Sequence, residues 1–226
     1  MSKAGAALAR RSRTPSAEVE RELLAAAEAV LVRDGPGGLT VRAVAAEAGV
    51  APMGLYSRLG GKDGLVDALL IEGFDRLRAA IDAGDEPDLA ARLYNCGLRY
   101  RIFALGNRHL HAIMFQDAIP RGRESAKVGE HAIAAFGALV RTVELAAAAG
   151  VLAAPDAVEA ARQIWSAVHG AVASELRGLV PTPDPEATYH SIIKTIISGL
   201  APGPVALPRW NWRCDEPSGR IRSRSG

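Results

Sequence analysis

Cysteine is scarce in this chain of 226 residues, which holds only Cys96 and Cys214. Two cysteines so far apart cannot supply the several bridges of a disulfide framework or the closely spaced thiolates of a zinc site. No metal site is therefore predicted from cysteine. The same scarcity favours a reducing compartment, and we expect the protein to be cytoplasmic.

Aromatic residues and long apolar runs are scarce as well. Phe, Trp and Tyr make up 5% of the chain. No uninterrupted apolar run approaches the roughly 20 residues that a transmembrane helix needs. The basic N-terminus also lacks the apolar stretch of a signal peptide. We therefore expect the protein to have no membrane partner.

Hydrophobic residues make up 49% of the chain, and most of them are Ala, Leu, Val and Ile. This composition favours helices over sheets, and no segment shows the alternating pattern of a half-buried strand. The sequence predicts an all-α protein. Apolar residues at helical spacing, bounded by Gly and Pro, predict helices in its second part over about 62–84, 88–106, 108–117, 124–149, 156–179 and 185–200.

Both ends of the chain are basic. Residues 1–16 carry four basic groups and no acid, and the segment from 201 onward carries five arginines and two acids. A basic arm often contacts phosphates, although a solvated, disordered tail has the same composition. The predicted organisation is a flexible arm, a small helical domain, a larger helical domain and a Pro- and Arg-rich tail, over 1–15, 16–61, 62–200 and 201–226.

A sharp break separates two short apolar stretches in AAEAGVAPMGLYSRL, residues 45–59. Gly49 ends one helix, and Pro52 suits the first turn of the next because its missing N–H would be unpaired there. Two short helices joined by a tight turn form a helix-turn-helix. Its first helix, 40–47, is expected to cross the DNA backbone, and its second, 51–57, to enter the major groove.

This region resembles the DNA-binding segment of TetR-family bacterial repressors. The resemblance covers GLTVRAVAAEAGVAPMGLYSRLGGKDGLVDALL, residues 38–70. It rests on a Thr that opens one helix, Ala-Gly-Val at the turn, a Leu-Tyr pair, an apolar residue where the family often has an aromatic, and a Lys before the fourth helix. These positions are Thr40, Ala48-Gly49-Val50, Leu55-Tyr56, Leu59 and Lys62.

The resemblance implies a set of DNA-contacting residues. Arg42 and Arg58 are the candidates for guanine contacts, with a phosphate contact as the alternative for Arg58. Met53 could meet a thymine methyl group, while Tyr56 and Lys62 could reach phosphate oxygens. The full predicted DNA-binding set is Thr40, Arg42, Pro52, Met53, Gly54, Tyr56, Ser57, Arg58 and Lys62.

A second resemblance lies in the later helices. YRIFALGNRHLHAIMFQ, residues 100–116, and IWSAVHGAVASELRG, residues 164–178, are similar to the regulatory domain of one TetR subgroup. Its mark is a Trp-x-x-x-His-Gly motif, here Trp165, His169 and Gly170. The resemblance implies a regulatory domain whose ligand the motif does not identify.

Most of the few aromatic residues fall in this region, where an apolar pocket with a few polar groups would suit a small organic effector. The alternative is ordinary packing, with His169 as a hydrogen-bonded core histidine. The predicted ligand-binding residues are Tyr100, Phe103, Met114, Phe115, Trp165 and His169.

Metal binding and catalysis find little support. On a helix, the side chains of His109 and His111 point about 200° apart, so the pair does not chelate a metal. Ser191 and Lys194 lie in an isoleucine-rich helix without partner motifs. No phosphate-binding Gly-rich loop or Ser-His-Asp arrangement is present. We expect no cofactor and no enzymatic activity.

The last helix carries an apolar stripe that is broader than a small intramolecular contact needs. A second copy of the chain could cover it, because one short recognition helix reads few base pairs and a two-fold dimer doubles the readout. The alternative is that the stripe is internal core. The predicted interface residues are Tyr189, Ile192, Ile193, Ile196 and Ile197.

These features predict a homodimeric repressor that binds a palindromic, double-stranded DNA operator and is released by an unknown small-molecule effector. One alternative is a helical ligand-binding protein or enzyme that does not bind DNA. Another is a DNA-binding regulator that is controlled by a protein partner.

Overall fold

A computed structural model describes residues 16–116, 125–179 and 181–203, and these form nine α-helices and no β-strand. The all-α prediction is confirmed. The predicted arm 1–15 and most of the predicted tail lie outside the described residues. The helices are α1 (Ser16–Gly38), α2 (Val41–Glu47), α3 (Pro52–Leu59), α4 (Lys62–Ile81), α5 (Leu89–Gly106), α6 (Arg108–Phe115), α7 (Ala126–Ala148), α8 (Ala157–Arg177) and α9 (Pro185–Leu200).

The first three helices share a small apolar core. Ala27 and Val30 of α1, Val44 of α2 and Leu55 of α3 are fully buried. The helical path of α1 is broken at Gly35, whose φ of 69° lies in the left-handed region that glycine tolerates. A further helical turn follows this break, and α1 ends at Gly38. This core fixes how α2 and α3 sit relative to α1.

The fourth helix joins this unit to the rest of the chain. It contacts α1 and α3 as well as α5, α6 and α7. Leu65 and Leu69 are fully buried in its first half, and Leu77 and Ile81 are buried in its second half. The helix ends at Ile81, short of the predicted residue 84, because Asp82 adopts an extended conformation with ψ of 113°. One rigid element thus packs against both parts of the protein.

The later helices form a bundle with α4. Within it, α7 contacts α4, α5 and α8, while α9 packs on α8 and α5. Four of these helices begin at a side chain that accepts a hydrogen bond from a backbone N–H three residues later. Such caps stabilise a helix by about 1 kcal/mol each and hold the starts close to the predicted ones. The caps are Asp88, Ser125, Asp156 and Asp184.

Among the described helices, α7 alone is long and apolar enough to cross a membrane, with a mean hydropathy of 1.3 over its most apolar window. The prediction against a membrane span relied on uninterrupted apolar runs, and Arg141 and Glu144 interrupt this helix. Of that window, 22% is buried in the bundle. The buried residues of α7 are Val128, Ala135, Leu139, Val143 and Ala146.

Two residues predicted for a dimer interface lie inside the chain instead. Tyr189 and Ile193 expose 1% and 2% of their surface. The Tyr189 hydroxyl donates to the Gly97 carbonyl of α5 at 2.8 Å, and the Ile193 side chain packs on the same glycine. These two positions are corrected to core residues because α5 covers them. The role of the other three, which are partly exposed, stays a prediction: Ile192, Ile196 and Ile197.

Candidate nucleic-acid interface and ligand cavity

A tight turn joins the two short helices at residues 45–51. Thr40 caps α2, the first of these two helices, and its Oγ1 accepts a hydrogen bond from the Ala43 N–H at 3.1 Å. At the turn, the N–H of Val50 donates to the carbonyl of Ala45 at 2.9 Å. Gly49 adopts φ of 65°, which glycine reaches without the steric cost that a side chain brings. The predicted helix-turn-helix is therefore formed by local hydrogen bonds and one left-handed glycine.

The second short helix, α3, begins with Pro52 at its first position and exposes one side. Leu55 is fully buried, whereas Met53 and Tyr56 expose 74% and 53% of their surface, and Arg58 is also exposed. Leu55 anchors α3 to the core and sets its rotation. The exposed side is the part of the helix that is free to enter a major groove.

Two predicted DNA-contacting side chains lie back along α3. The Ser57 hydroxyl donates to the Gly54 carbonyl at 3.0 Å. The Arg58 Nη1 atom lies 3.5 Å from the same carbonyl oxygen, which is the distance of a weak hydrogen bond. Arg58 therefore gives up only a weak contact when its guanidinium turns outward.

Two glycines bring α3 and α4 into close contact. A Cβ built on Gly61 would lie 2.9 Å from the Tyr56 Cε1 atom, so the Tyr56 ring rests directly on this residue. A Cβ built on Gly64 would lie 1.6 Å from the Leu59 carbonyl oxygen. The arrangement keeps the Tyr56 ring beside the start of α4, where the exposed Lys62 begins the helix. The sequence analysis did not predict this contact between α3 and α4.

The helical bundle contains a partly open cavity of about 360 Å³, within the size range of small-molecule sites. Five helices, from α4 to α8, contribute to its walls. Among the described residues that line it, none carries a charged side chain. The aromatic members of the lining are Phe74, Tyr100, Phe115, Phe136 and Trp165.

Several of these rings pack against one another. The Trp165 ring centroid lies 5.1 Å from that of Tyr100 and 5.3 Å from that of Phe115. It also stacks on His169 of the same helix at 5.0 Å, with the ring planes 20° apart. Contacts of this kind contribute about 0.5–1.5 kcal/mol beyond apolar burial. They build a well-packed aromatic wall for the cavity.

A hydrogen-bonded chain of three side chains adjoins that wall. The Tyr100 hydroxyl lies 2.7 Å from His169 Nδ1 and 2.9 Å from His111 Nε2. His111 is fully buried, and its Nδ1 atom has no hydrogen-bond partner within the described part of the chain. Burial, followed by the proximity of His169, lowers the pKa of His111 to about 4. His111 is therefore neutral at pH 7.

Cys96 also lines the cavity, and it belongs to the apolar part of the wall. Burial raises the pKa of its thiol to about 12. Because the thiolate is the nucleophilic form, this thiol is unreactive near neutral pH. Cys96 therefore contributes packing, as a small apolar side chain would.

Two family models match the chain. Residues 23–69 match the model described as bacterial regulatory proteins of the tetR family. Residues 93–196 match the model described as the tetracyclin repressor-like C-terminal domain. The chain belongs to the TetR family. Its members are DNA-binding transcriptional regulators, so both the family prediction and the function class it implied are confirmed.

Solved structures share this TetR fold. A protein of unknown function from Rhodococcus sp. RHA1 is 30% identical, with a TM-score of 0.73 over 87% of this chain and 100% of that chain. The fatty acid degradation regulator FadR from Bacillus halodurans is 19% identical, with a TM-score of 0.66 over 80% of this chain and 98% of that one. The TetR-family regulator PfmR from Thermus thermophilus is 17% identical, with a TM-score of 0.60 over 78% of this chain and 97% of that one. A search of curated proteins finds no significant match.

The TetR cavity gathers four of the six predicted ligand-binding residues. Tyr100, Met114, Phe115 and Trp165 line it. Two positions are corrected. Phe103 is buried in the core and does not line the cavity. His169 is not a lining residue and adjoins the cavity through its contacts with Tyr100 and Trp165. The Trp-x-x-x-His-Gly subgroup stays a prediction.

The sequence analysis did not predict that His111 adjoins the cavity. It considered His111 only as one member of a possible metal-binding pair with His109. The spacing of His111, Met114 and Phe115 would have placed all three on one helix face. The wall that α7 contributes, including Phe136, was missed as well. In the described ranges, no group of three or more His, Cys, Asp or Glu residues is arranged to hold a metal ion.

Proposed function

We propose that this TetR-family regulator is a homodimeric repressor that binds a palindromic DNA operator and is released by a small organic ligand. The observation that carries the proposal is the position of α6. Met114 and Phe115 of this helix line the cavity, while the helix itself packs against α1 and α4. A ligand in the cavity thus touches an element that also contacts the DNA-binding unit.

The contact between α6 and α4 is tight. A Cβ built on Gly73 of α4 would lie 2.9 Å from the Met114 sulfur and 3.3 Å from the Leu110 Cδ1 atom. Packed interiors offer little free volume to absorb a displacement. A shift of α6 on ligand binding would therefore move α4, whose first residue borders the recognition helix.

A polar contact joins the same elements. The Arg76 guanidinium of α4 lies 2.6 Å from a Glu28 carboxylate oxygen of α1 and 2.5 Å from the side-chain oxygen of Asn107. Asn107 stands between α5 and α6, and its amide donates to the Phe103 carbonyl at 2.7 Å. These helices would have one arrangement that suits DNA and another that does not. A ligand that binds the second arrangement more tightly lowers DNA affinity, and the difference between its two binding free energies sets how far.

On the DNA, we assign base readout to Arg42 and Arg58, which suit guanine, and to Met53, which suits a thymine methyl group. Tyr56 and Lys62 would contact phosphates and set the register. Thr40, Pro52, Gly54 and Ser57 shape the helices that carry these groups. Two copies would place their recognition helices about 34–36 Å apart, one turn of B-DNA.

The dimer contact proposed here uses α8 and α9. A groove between them is lined by small residues of α8 and by Ile192 of α9, which is partly exposed. Small side chains let the backbone of a second helix approach closely. A second copy could therefore seat its own α8 and α9 here, with Ile196 and Ile197 at the edge. The small residues are Ala167, Gly170, Ala171 and Ser174.

Selection of bound duplexes from a random pool tests the proposal. We expect enrichment of a palindrome whose half-sites are one helical turn apart, bound with two chains per site and with strong salt dependence. The absence of any enriched sequence would contradict the proposal and favour a helical protein without DNA binding. In this proposal the protein acts in the cytoplasm and catalyses no reaction.

Release is tested next, with small molecules added to the purified complex of protein and selected duplex. A ligand-controlled repressor is expected to leave the duplex when the cavity is filled. If the duplex is bound specifically but no compound that binds the protein releases it, control by a protein partner becomes the better account.

A further inference from the structure

We propose that the cavity takes an uncharged, largely apolar molecule that carries one hydrogen-bond donor, such as a hydroxyl group, and that the Tyr100 oxygen accepts this donor. The inference rests on the proposed function, since it names the chemical class of the effector. It comes from the wall of the cavity and from the hydrogen bonds that join Tyr100 to His111 and His169.

The wall argues against a charged ligand. Among the described lining residues none is charged, and only Tyr100 and Trp165 have a nitrogen or oxygen in the side chain. Burying an ion without a counter-charge costs far more than burying one neutral polar group that forms a hydrogen bond. The aromatic and aliphatic walls instead favour an apolar body.

The hydrogen bonds of Tyr100 decide which kind of polar group fits. Its hydroxyl has one proton and two imidazole neighbours, and its proton is used when it donates to one imidazole and accepts from the other. If both imidazoles donated to it, its own O–H would find no side-chain oxygen or nitrogen acceptor among the described residues of the cavity wall. If Tyr100 donated to His111 Nε2, the neutral His111 would carry its proton on Nδ1. That buried N–H has no acceptor among the described residues, and buried N–H groups without an acceptor are rare and costly.

In the opposite direction His111 Nδ1 is an unprotonated nitrogen, so no buried N–H of His111 lacks an acceptor. His111 then donates from Nε2 to the Tyr100 oxygen, and Tyr100 donates its own proton to His169 Nδ1. The only proton of Tyr100 is engaged in this arrangement, so the hydroxyl has nothing left to donate to a ligand. Its oxygen keeps one acceptor site. A ligand hydroxyl or N–H can therefore bind there without any change in these hydrogen bonds, whereas a group that only accepts would first have to draw the Tyr100 proton away from His169.

A set of matched biphenyl compounds tests the inference on the full chain without DNA. The probes are biphenyl, para-phenylphenol, para-phenylanisole, para-phenylbenzoate and para-phenylbenzylammonium. Titration calorimetry and the melting temperature report binding. The phenol is expected to bind roughly threefold to tenfold more tightly than biphenyl or the anisole, the gain from one net hydrogen bond. Both ions are expected to bind more weakly than biphenyl.

Variants locate the acceptor. Tyr100→Phe keeps the ring and should abolish the preference for the phenol over biphenyl. Tyr94→Phe is the matched control, because the Tyr94 hydroxyl also contacts a histidine, His190, but Tyr94 does not line the cavity. That control should keep the preference. If Tyr100→Phe does not fold, the comparison of phenol with anisole on the wild-type chain still tests whether the cavity prefers a hydrogen-bond donor.

The inference is overturned if the anisole binds as tightly as the phenol, or if either ion binds more tightly than biphenyl. It is also overturned if Tyr100→Phe keeps the preference, or if no probe binds up to its solubility limit. Operator binding without ligand is measured separately. A chain that binds DNA but prefers an ion keeps the proposed function, and one that prefers the phenol but binds no DNA loses it.

Discussion

Gly97 of α5 faces Ile193 of α9 so closely that a Cβ built on the glycine would lie 2.9 Å from the Ile193 Cδ1 atom. One turn earlier on α9, the Tyr189 hydroxyl donates to the Gly97 carbonyl at 2.8 Å. These contacts fasten α9 to the helix that carries Tyr100, a residue of the cavity wall. The cavity and the proposed dimer helices therefore share a packed boundary.

The first prediction compares two glycines that both line the cavity. A Cβ at Gly97 would press on buried Ile193, whereas a Cβ at Gly129 would meet no atom of the described residues within 4 Å. Both substitutions gain the same helix propensity, so their difference reports the overpacking. We expect Gly97→Ala to be less stable than Gly129→Ala by about 1–3 kcal/mol in urea unfolding. Equal stabilities would show that Ile193 has room to move.

The second prediction separates base readout from phosphate contact. Arg42→Ala should lose about 1–3 kcal/mol on the preferred duplex and relax the choice of one base pair. Lys62→Ala should weaken all duplexes evenly and reduce the salt slope by about one. Fluorescence anisotropy at several salt concentrations measures both effects.

The control for these variants is Arg162→Ala, which removes an exposed arginine of α8 that is paired with Glu159. It should leave affinity and sequence preference as in the wild type. If Arg42→Ala leaves both quantities unchanged as well, the assignment of base readout to Arg42 is wrong.

The third prediction concerns assembly. Ile196→Glu should produce monomers at micromolar concentration, because it places a charge in the proposed contact between two copies. Ile133→Glu, at a residue of α7 that is 73% exposed, should leave the dimer intact. Sedimentation velocity measures the state of each variant. Ile193→Glu is unsuitable, since Ile193 is core. Dimers of Ile196→Glu as stable as the wild type would move the interface elsewhere.

The fourth prediction is a dependence of stability on pH. Burial lowers the pKa of His111 from 6.5 to about 4, so between these values the unfolded chain binds a proton that the folded chain does not. This contribution to stability is therefore complete above pH 6.5 and is lost as the pH falls toward 4. The loss amounts to about 3 kcal/mol.

Urea unfolding between pH 4 and pH 7 tests that dependence. His111→Phe lacks the buried imidazole, so its stability should fall less steeply with acid than that of the wild type. His109→Gln, on the same helix but only partly buried, should keep the wild-type slope. If the slope of His111→Phe equals that of the wild type, His111 does not control the pH dependence.

Local sequence was sufficient for the helix-turn-helix. Thr40 caps its own helix, Gly49 supplies a left-handed turn and Pro52 starts the next helix, and each acts within a few residues of its position. The TetR pattern and the all-α fold could be predicted for the same reason. Helices began close to their predicted first residues wherever an Asp or Ser caps the start.

The tertiary structure alone decided which apolar faces are shared with which neighbours. Ile193 and Ile196 belong to one stripe of α9, yet α5 covers the first and leaves the second partly exposed. Phe103 was predicted in the cavity and packs in the core, while His111 was not predicted and adjoins it through Tyr100. Helical periodicity identifies a buried face but not the helix that buries it, because that partner is distant in sequence and is chosen by the packing of the whole bundle.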